Sequence, residues 1–259
     1  MILVGPVVLE TRDLTIRFGG HVAVDHVSCA FAPGTLTAIV GPNGAGKTTY
    51  FNLISGQLPA SEGRVLLDDM DITALPAPLR TRRGLGRAFQ LTQLFPHLSV
   101  QENLRLAVQA RHGGGLNLWQ VWRDRKDWLE ETRELLNAVR LHDKRDTPAA
   151  SLPHGDQRKL EVAMLMALDP RVYMFDEPTA GMSVDEVPVV LDLIRSLKAR
   201  RDRVILLVEH KMDVVRELAD RIIVLHQGAL VADGEPATVI ASDIVQQAYL
   251  GTAPVAEAA

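Results

Sequence analysis

Apolar and polar positions change their period several times along this chain. Residues 7–31 alternate with period two around a turn at Phe18-Gly19-Gly20-His21, which predicts an antiparallel β layer. Residues 35–40 form a short apolar run of the kind buried on both faces of a parallel sheet, and residues 47–55 follow with helical spacing. Strand patterns recur at 63–68 and 86–90. From residue 92 to about 170 the period turns helical, with candidate helices at 100–109, 119–141 and 157–168. Strands resume at 172–175 and 204–208, separated by a helix over 185–198. Buried strands alternating with amphipathic helices imply an α/β class. The expected organisation is one domain over 7–251, with a helical subdomain of about 92–170 inserted into its α/β core and a frayed tail at 252–259.

Between the first apolar strand and its helix lies Gly41-Pro42-Asn43-Gly44-Ala45-Gly46-Lys47-Thr48-Thr49, which fits the phosphate-loop pattern G-x-x-x-x-G-K-[ST]. Its glycines free backbone N–H groups to wrap a polyphosphate at a helix N-terminus. Lys47 is expected to reach the β- and γ-phosphates. Thr48 is expected to offer its hydroxyl to Mg²⁺, a hard cation that takes oxygen ligands shared with substrate phosphates.

A second apolar strand ends in Asp176-Glu177-Pro178. Ligands of open α/β folds sit at the carboxyl ends of such strands, so Asp176 is expected beside the phosphate loop, holding Mg²⁺ through a water. Glu177, one residue on, is placed to orient and deprotonate an attacking water. The two features together predict nucleotide hydrolysis rather than binding alone.

The bulk numbers narrow the field further. The 259 residues, 47% of them hydrophobic and 23% charged, are enough to bury a core. A net charge of −4 argues against nucleic acid as the main partner. Cys29 is the only cysteine, so no intramolecular disulfide is possible and no cysteine metal site is expected. The apolar start, residues 1–10, has no basic leader and is broken by Gly5-Pro6, so a strand is expected there rather than a secretion signal. No run approaches the ~20 apolar residues of a spanning helix, so no direct membrane insertion is expected. Trp119, Trp122 and Trp128 cluster after three glycines; packing within the subdomain is the plain reading, and a protein-docking surface is the alternative.

In their order along the chain these motifs resemble the ATPase subunit of an ABC transporter, over about residues 7–251. The resemblance implies a P-loop NTPase core of the ABC ATPase type with an antiparallel β layer and an inserted helical subdomain. It implies that Phe18 stacks on adenine, that Gln90 contacts Mg²⁺ and the water, and that His210 hydrogen-bonds the γ-phosphate. In the family a segment reading Leu-Ser-Gly-Gly-Gln crosses a dimer interface to the γ-phosphate of the opposite subunit. Here it reads Leu152-Pro153-His154-Gly155-Asp156, and Pro153 offers neither a hydroxyl nor an N–H. Ala180-Gly181-Met182-Ser183 also departs from the common Ser-Ala-Leu-Asp.

Within the family, residues 86–95, the long helical insert after Asn103, Leu160-Glu161, residues 180–182 and residues 208–213 are most similar to ATPases of branched-chain amino-acid, amide or urea importers. That subfamily implies ATP and Mg²⁺ as cofactors. Its implied partners are a second ATPase subunit, two membrane-spanning permease subunits and, indirectly, a substrate-binding protein. A peripheral position on the cytoplasmic face of the inner membrane follows from the same resemblance. The alternatives are the ATPase of a lipid or lipopolysaccharide exporter and a non-transport ABC ATPase. The single motif set and the lack of sustained heptads disfavour the last.

Overall fold

The computed structural model describes residues 8–88, 94–113, 125–243 and 245. An antiparallel layer is built from β1 (Leu9–Phe18), β2 (His21–Phe31), β4 (Glu62–Leu67) and β5 (Met70–Asp71), in the order β2-β1-β4-β5. A second sheet contains β3 (Leu36–Val40), β6 (Leu85–Ala88), β7 (Val172–Asp176), β8 (Val204–Val208), β9 (Arg221–His226) and β10 (Ala229–Gly234). Its order is β10-β9-β3-β8-β7-β6, parallel except for β10.

Every residue of β3, β7 and β8 is buried, as their unbroken apolar runs require. The side chains of β7 and β8 alternate between two cores. Val172, Met174, Val204 and Leu206 join the residues under the antiparallel layer, whereas Tyr173, Phe175, Ile205 and Leu207 join a core shared by the helices of the insert and those that follow β7 and β8. The first core also contains Tyr50, Phe51, Leu53 and Ile54 of α1 (Lys47–Ser55), so the phosphate-loop helix is clamped between the two sheets.

The far end of α1 is fixed by Arg80 of the short helix α2 (Ala77–Arg82). Arg80 is buried, and it donates from Nη1 to the carbonyls of Leu53 and Ile54 at 2.7 Å and from Nη2 to that of Thr73 at 2.7 Å. A cation on the last carbonyls of a helix complements its dipole while satisfying oxygens that lack partners within the helix. Burial lowers its pKa to about 10, so it remains charged at neutral pH.

The insert contributes α3 (Val100–Arg111), α4 (Lys126–Ala138) and α5 (His154–Leu168). Ser99 caps α3, its hydroxyl accepting from the Glu102 N–H at 3.2 Å. Helix α5 starts three residues before the sequence expectation, because Pro153 serves as its N-cap, and it ends at Asp169 in the left-handed conformation, φ 44°. Trp128 is buried in the insert, stacked on His112 with ring centroids 5.7 Å apart and covered by the Arg125 guanidinium at 4.4 Å. Trp119 and Trp122, the first part of the expected 119–141 helix, and residues 252–259 lie outside the described residues. Helix α6 (Val187–Ala199) joins β7 to β8, and α7 (Met212–Leu218) precedes β9. The short α8 (Pro236–Ile240) follows β10. Among the described residues no helix is long and apolar enough to cross a membrane.

Candidate functional site

The turn between β3 and α1 owes its shape to glycine. Gly46, the N-cap of α1, has φ 96°, and a Cβ there would lie 2.4 Å from the Ala23 carbonyl oxygen. The loop can therefore press against β2 while its N–H groups open the other way, into the helix N-terminus where anions are favoured. Lys47 is buried, and its Nζ donates to the carbonyls of Gly41 at 2.6 Å and Pro42 at 2.9 Å. Burial lowers its pKa, against the opposing pull of the Glu177 and Asp176 carboxylates.

Around this loop lies an open cleft of ≈ 510 Å³. It is lined by Phe18, His21, Ala23, Asn43, Gly44, Ala45, Gly46, Lys47, Thr48, Thr49, Glu177 and His210. Residues from four separate stretches of sequence thus meet at one place. Phe18 ends β1 half exposed, with its ring available to a flat ligand. Glu177 and His210 approach from the carboxyl ends of β7 and β8, and Glu177 Oε1 lies 2.9 Å from His210 Nε2.

Glu177 is held in the left-handed region, φ 48°, a conformation that costs a non-glycine residue about 1–3 kcal/mol. Its N–H donates to the Val208 carbonyl at 2.9 Å, and the Ala180 N–H donates to its carbonyl at 3.1 Å. Glu209 fixes the neighbouring turn. This buried carboxylate accepts from the Thr179 hydroxyl at 2.5 Å and from the His210 N–H at 2.9 Å.

Asp176 lies behind the cleft and is almost wholly buried. Its Oδ2 accepts from Arg87 Nη2 at 2.6 Å, while Oδ1 has no hydrogen-bond partner among the described residues. Arg158 of α5 reaches the same strand end, donating from Nη2 to the carbonyls of Asp176 at 2.8 Å and Glu177 at 2.9 Å. Sequence reasoning overlooked Arg87, Arg158 and Glu209. A signal existed for the first: an arginine inside a short buried strand requires a compensating partner.

Gln90 lies outside the described residues. The segment Leu152-Pro153-His154-Gly155-Asp156 does not line the cleft of its own chain. Leu152 packs into the helical core. The Asp156 side chain is buried and paired with Lys144 and with Lys159, the latter at 2.5 Å. Burial pushes the Asp156 carboxyl up, but the two ammonium groups outweigh it and hold it below the usual carboxylate range. Its side chain is thereby committed inside the insert and does not cap the first turn of α5. That turn is packed against the loop after β7: a Cβ on Gly155 would lie 2.2 Å from Glu186 Oε2, and Glu186 in turn accepts from the Ser183 N–H at 3.0 Å.

Pro153 begins α5 with no side-chain hydrogen bond capping it. Pro153→Ser is expected to stabilise the protein by about 0.5–2 kcal/mol, because serine accepts from the N–H groups that proline leaves open. If this segment completes a nucleotide site in another subunit, the added hydroxyl supplies a hydrogen bond to a charged group, worth about 1.5–3 kcal/mol. Turnover should then rise roughly tenfold or more. Unchanged turnover at higher thermal stability would leave the hydroxyl with a capping role only.

Comparison with known proteins agrees with this geometry. The ABC transporter family model matches residues 24–180. The chain is 36% identical over 252 residues to the high-affinity branched-chain amino acid transport ATP-binding protein BraF of Pseudomonas aeruginosa, covering 95% of this chain and 98% of that protein. It is 36% identical to LivG, of the same description, from Escherichia coli K12, over 95% of this chain and 98% of that protein. Similarity to the lipopolysaccharide export system ATP-binding protein LptB of Escherichia coli K12 is 33% over 245 residues, covering 94% and 97%. A nucleotide-free ATP-binding cassette from an ABC transporter superposes with a TM-score of 0.80 at 27% identity, covering 95% of this chain and all of that one. The ADP conformation of another such cassette gives 0.77 at 28%, covering 95% and 100%. Motif order, the cleft that brings Phe18, the phosphate loop, Glu177 and His210 together, and similarity along 95% of the chain all agree: the chain belongs to the ABC transporter family, as one of its ATP-binding, ATP-hydrolysing subunits.

Proposed function

We propose that this ATPase subunit energises a membrane importer of branched-chain amino acids or related small polar solutes. The observation that carries the reading is similarity at 36% identity along nearly the whole chain to BraF and LivG. The lower similarity to LptB supports a second reading, a lipopolysaccharide exporter.

In the proposed site the adenine ring stacks on Phe18. The polyphosphate is wrapped by the N–H groups of Gly41-Pro42-Asn43-Gly44-Ala45-Gly46-Lys47-Thr48-Thr49, Pro42 excepted, with Lys47 neutralising charge. The orphaned Oδ1 of Asp176 and the Thr48 hydroxyl in the cleft are a donor set that fits Mg²⁺, and Gln90 is assigned as a third ligand. When bound, that ion supplies positive charge to the phosphate oxygens. Glu177 accepts a proton from water as the water oxygen attacks the γ-phosphorus and ADP leaves with the bridging oxygen. His210, 2.9 Å from Glu177, holds the carboxylate and hydrogen-bonds the γ-phosphate.

The segment Leu152-Pro153-His154-Gly155-Asp156 belongs, in this proposal, to the site of a second ATPase subunit. The remaining proposed partners are two membrane-spanning permease chains and a substrate-binding protein, with the subunit peripheral on the cytoplasmic face of the inner membrane. Deleting this chain from its host and measuring uptake of labelled leucine, isoleucine and valine tests the reading. Uptake is expected to fall and to be restored by the wild-type chain but not by Glu177→Gln. Normal uptake of all three with defective lipopolysaccharide delivery would favour the exporter.

A further inference from the structure

Arg87 occupies a position that none of the expected roles uses. It lies on β6, opposite Met174 of β7, and its guanidinium spans two separate parts of the site. One amino group, Nη2, holds Asp176 Oδ2 at 2.6 Å. The other, Nη1, donates to Asn52 Oδ1 at 2.7 Å and Ser55 Oγ at 2.9 Å, both on α1. Its Cζ also stands 5.4 Å from the centre of the Phe51 ring on that helix. Side chains of Arg87 and Asp176 are 5% and 0% exposed, so this contact is shielded from water and salt, unlike a surface ion pair.

We propose that Arg87 is a positioning residue for the metal carboxylate, locking Asp176 through Oδ2 so that Oδ1 is left for Mg²⁺ and tying that carboxylate to the phosphate-loop helix. The proposal rests on the reading that Asp176 serves the metal. Three features of the geometry carry it. A planar fork with two amino groups can satisfy Oδ2 and the α1 acceptors together, which an ammonium at one point cannot. The oxygen it leaves alone is buried and has no hydrogen-bond partner among the described residues, a costly arrangement unless a cation or its water uses that oxygen. Arg87 also stands one residue before the end of β6, where Ala88 pairs with Phe175, so the carboxyl end of that strand is tied to Asp176 through one side chain.

The test compares the affinity for a non-hydrolysable ATP analogue in EDTA and in Mg²⁺; their ratio isolates what the metal contributes. Partners that orient a metal ligand typically account for about 10–100-fold in metal affinity. For Arg87→Lys the ratio is expected to fall about tenfold or more, with affinity in EDTA within about twofold of wild type. If the buried pair proves necessary for folding, Asn52→Leu keeps it and removes only an anchor on α1. That variant is expected to lower the same ratio by a smaller factor. A ratio unchanged in both folded variants overturns the proposal, as does an equal loss with and without metal, which would mark a merely structural arginine. A wild-type chain whose nucleotide affinity ignores Mg²⁺ would instead overturn the assignment of Asp176 to the metal.

Discussion

Glu177→Gln should lower ATP turnover by about 10²–10⁴-fold while leaving nucleotide binding nearly intact. Glutamine keeps the length of the side chain and can keep the contact with His210, which stands 2.9 Å from Oε1, but it cannot accept a proton. The backbone there is independently set by the Val208 carbonyl and by Arg158, so the left-handed turn at residue 177 is retained. Steady-state phosphate release measures the first effect and equilibrium binding of labelled ATP the second. A fall of less than tenfold would remove Glu177 from the role of base. The same variant reports on assembly, since blocking hydrolysis traps any subunit pair closed by ATP. Light scattering with Mg·ATP is expected to show a monomer-to-dimer shift if two copies can complete each other's sites. A chain that binds ATP yet stays monomeric would point to the Pro153 segment as the defect and to a different ATPase chain as the partner.

What the sequence made legible were features that depend on a few neighbouring residues. The glycine pattern of 41–49 predicts both the turn and the helix that follows it, and α1 spans the expected Lys47–Ser55. The apolar runs predict β3 and β8, whose neighbours on both faces are apolar as well. The antiparallel pair β1–β2 follows from period-two alternation around Gly19-Gly20. Between residue 213 and the tail at 252–259 the sequence reading places no element, so β9, β10 and α8 are absent from it, as is α7. Strand β9 is an apolar run and was open to the same argument as β3; β10 is half-buried at the sheet edge except for the exposed Asp233 and has no clean alternation to betray it. The partners of Arg87, Arg158 and Glu209 were illegible for a different reason, although the placement of Arg87 in a buried strand shows that it needs one. Each of the three acts through a partner distant in the chain, 89 residues away for Arg87–Asp176 and 30 for Glu209–Thr179, and periodicity carries no information about such pairs.

Arg158→Met is expected to produce a large loss of stability. Arg158 and Glu161 are 6% and 7% exposed at the side chain and lie 2.9 Å apart on the inner face of α5. Removing one member of a buried ion pair typically costs about 3–5 kcal/mol, because the other charge remains desolvated. For a chain of this size that corresponds to a melting temperature lower by roughly 6–20 °C. Replacing both members, Arg158→Met with Glu161→Leu, should restore much of that stability, since apolar pairs of similar volume often substitute for buried ion pairs. Activity should not return with it. Arg158 also donates to the carbonyls of Asp176 at 2.8 Å and Glu177 at 2.9 Å, and no apolar replacement can supply those hydrogen bonds. Because α5 begins at His154 with Pro153 as its N-cap, one helix carries the segment proposed to serve a second subunit at its N-terminus and the anchor of this subunit's own acidic turn one turn later. A double variant with wild-type melting behaviour but low turnover would separate that positioning role from simple packing. Recovery of both together would reduce Arg158 to a buried structural charge.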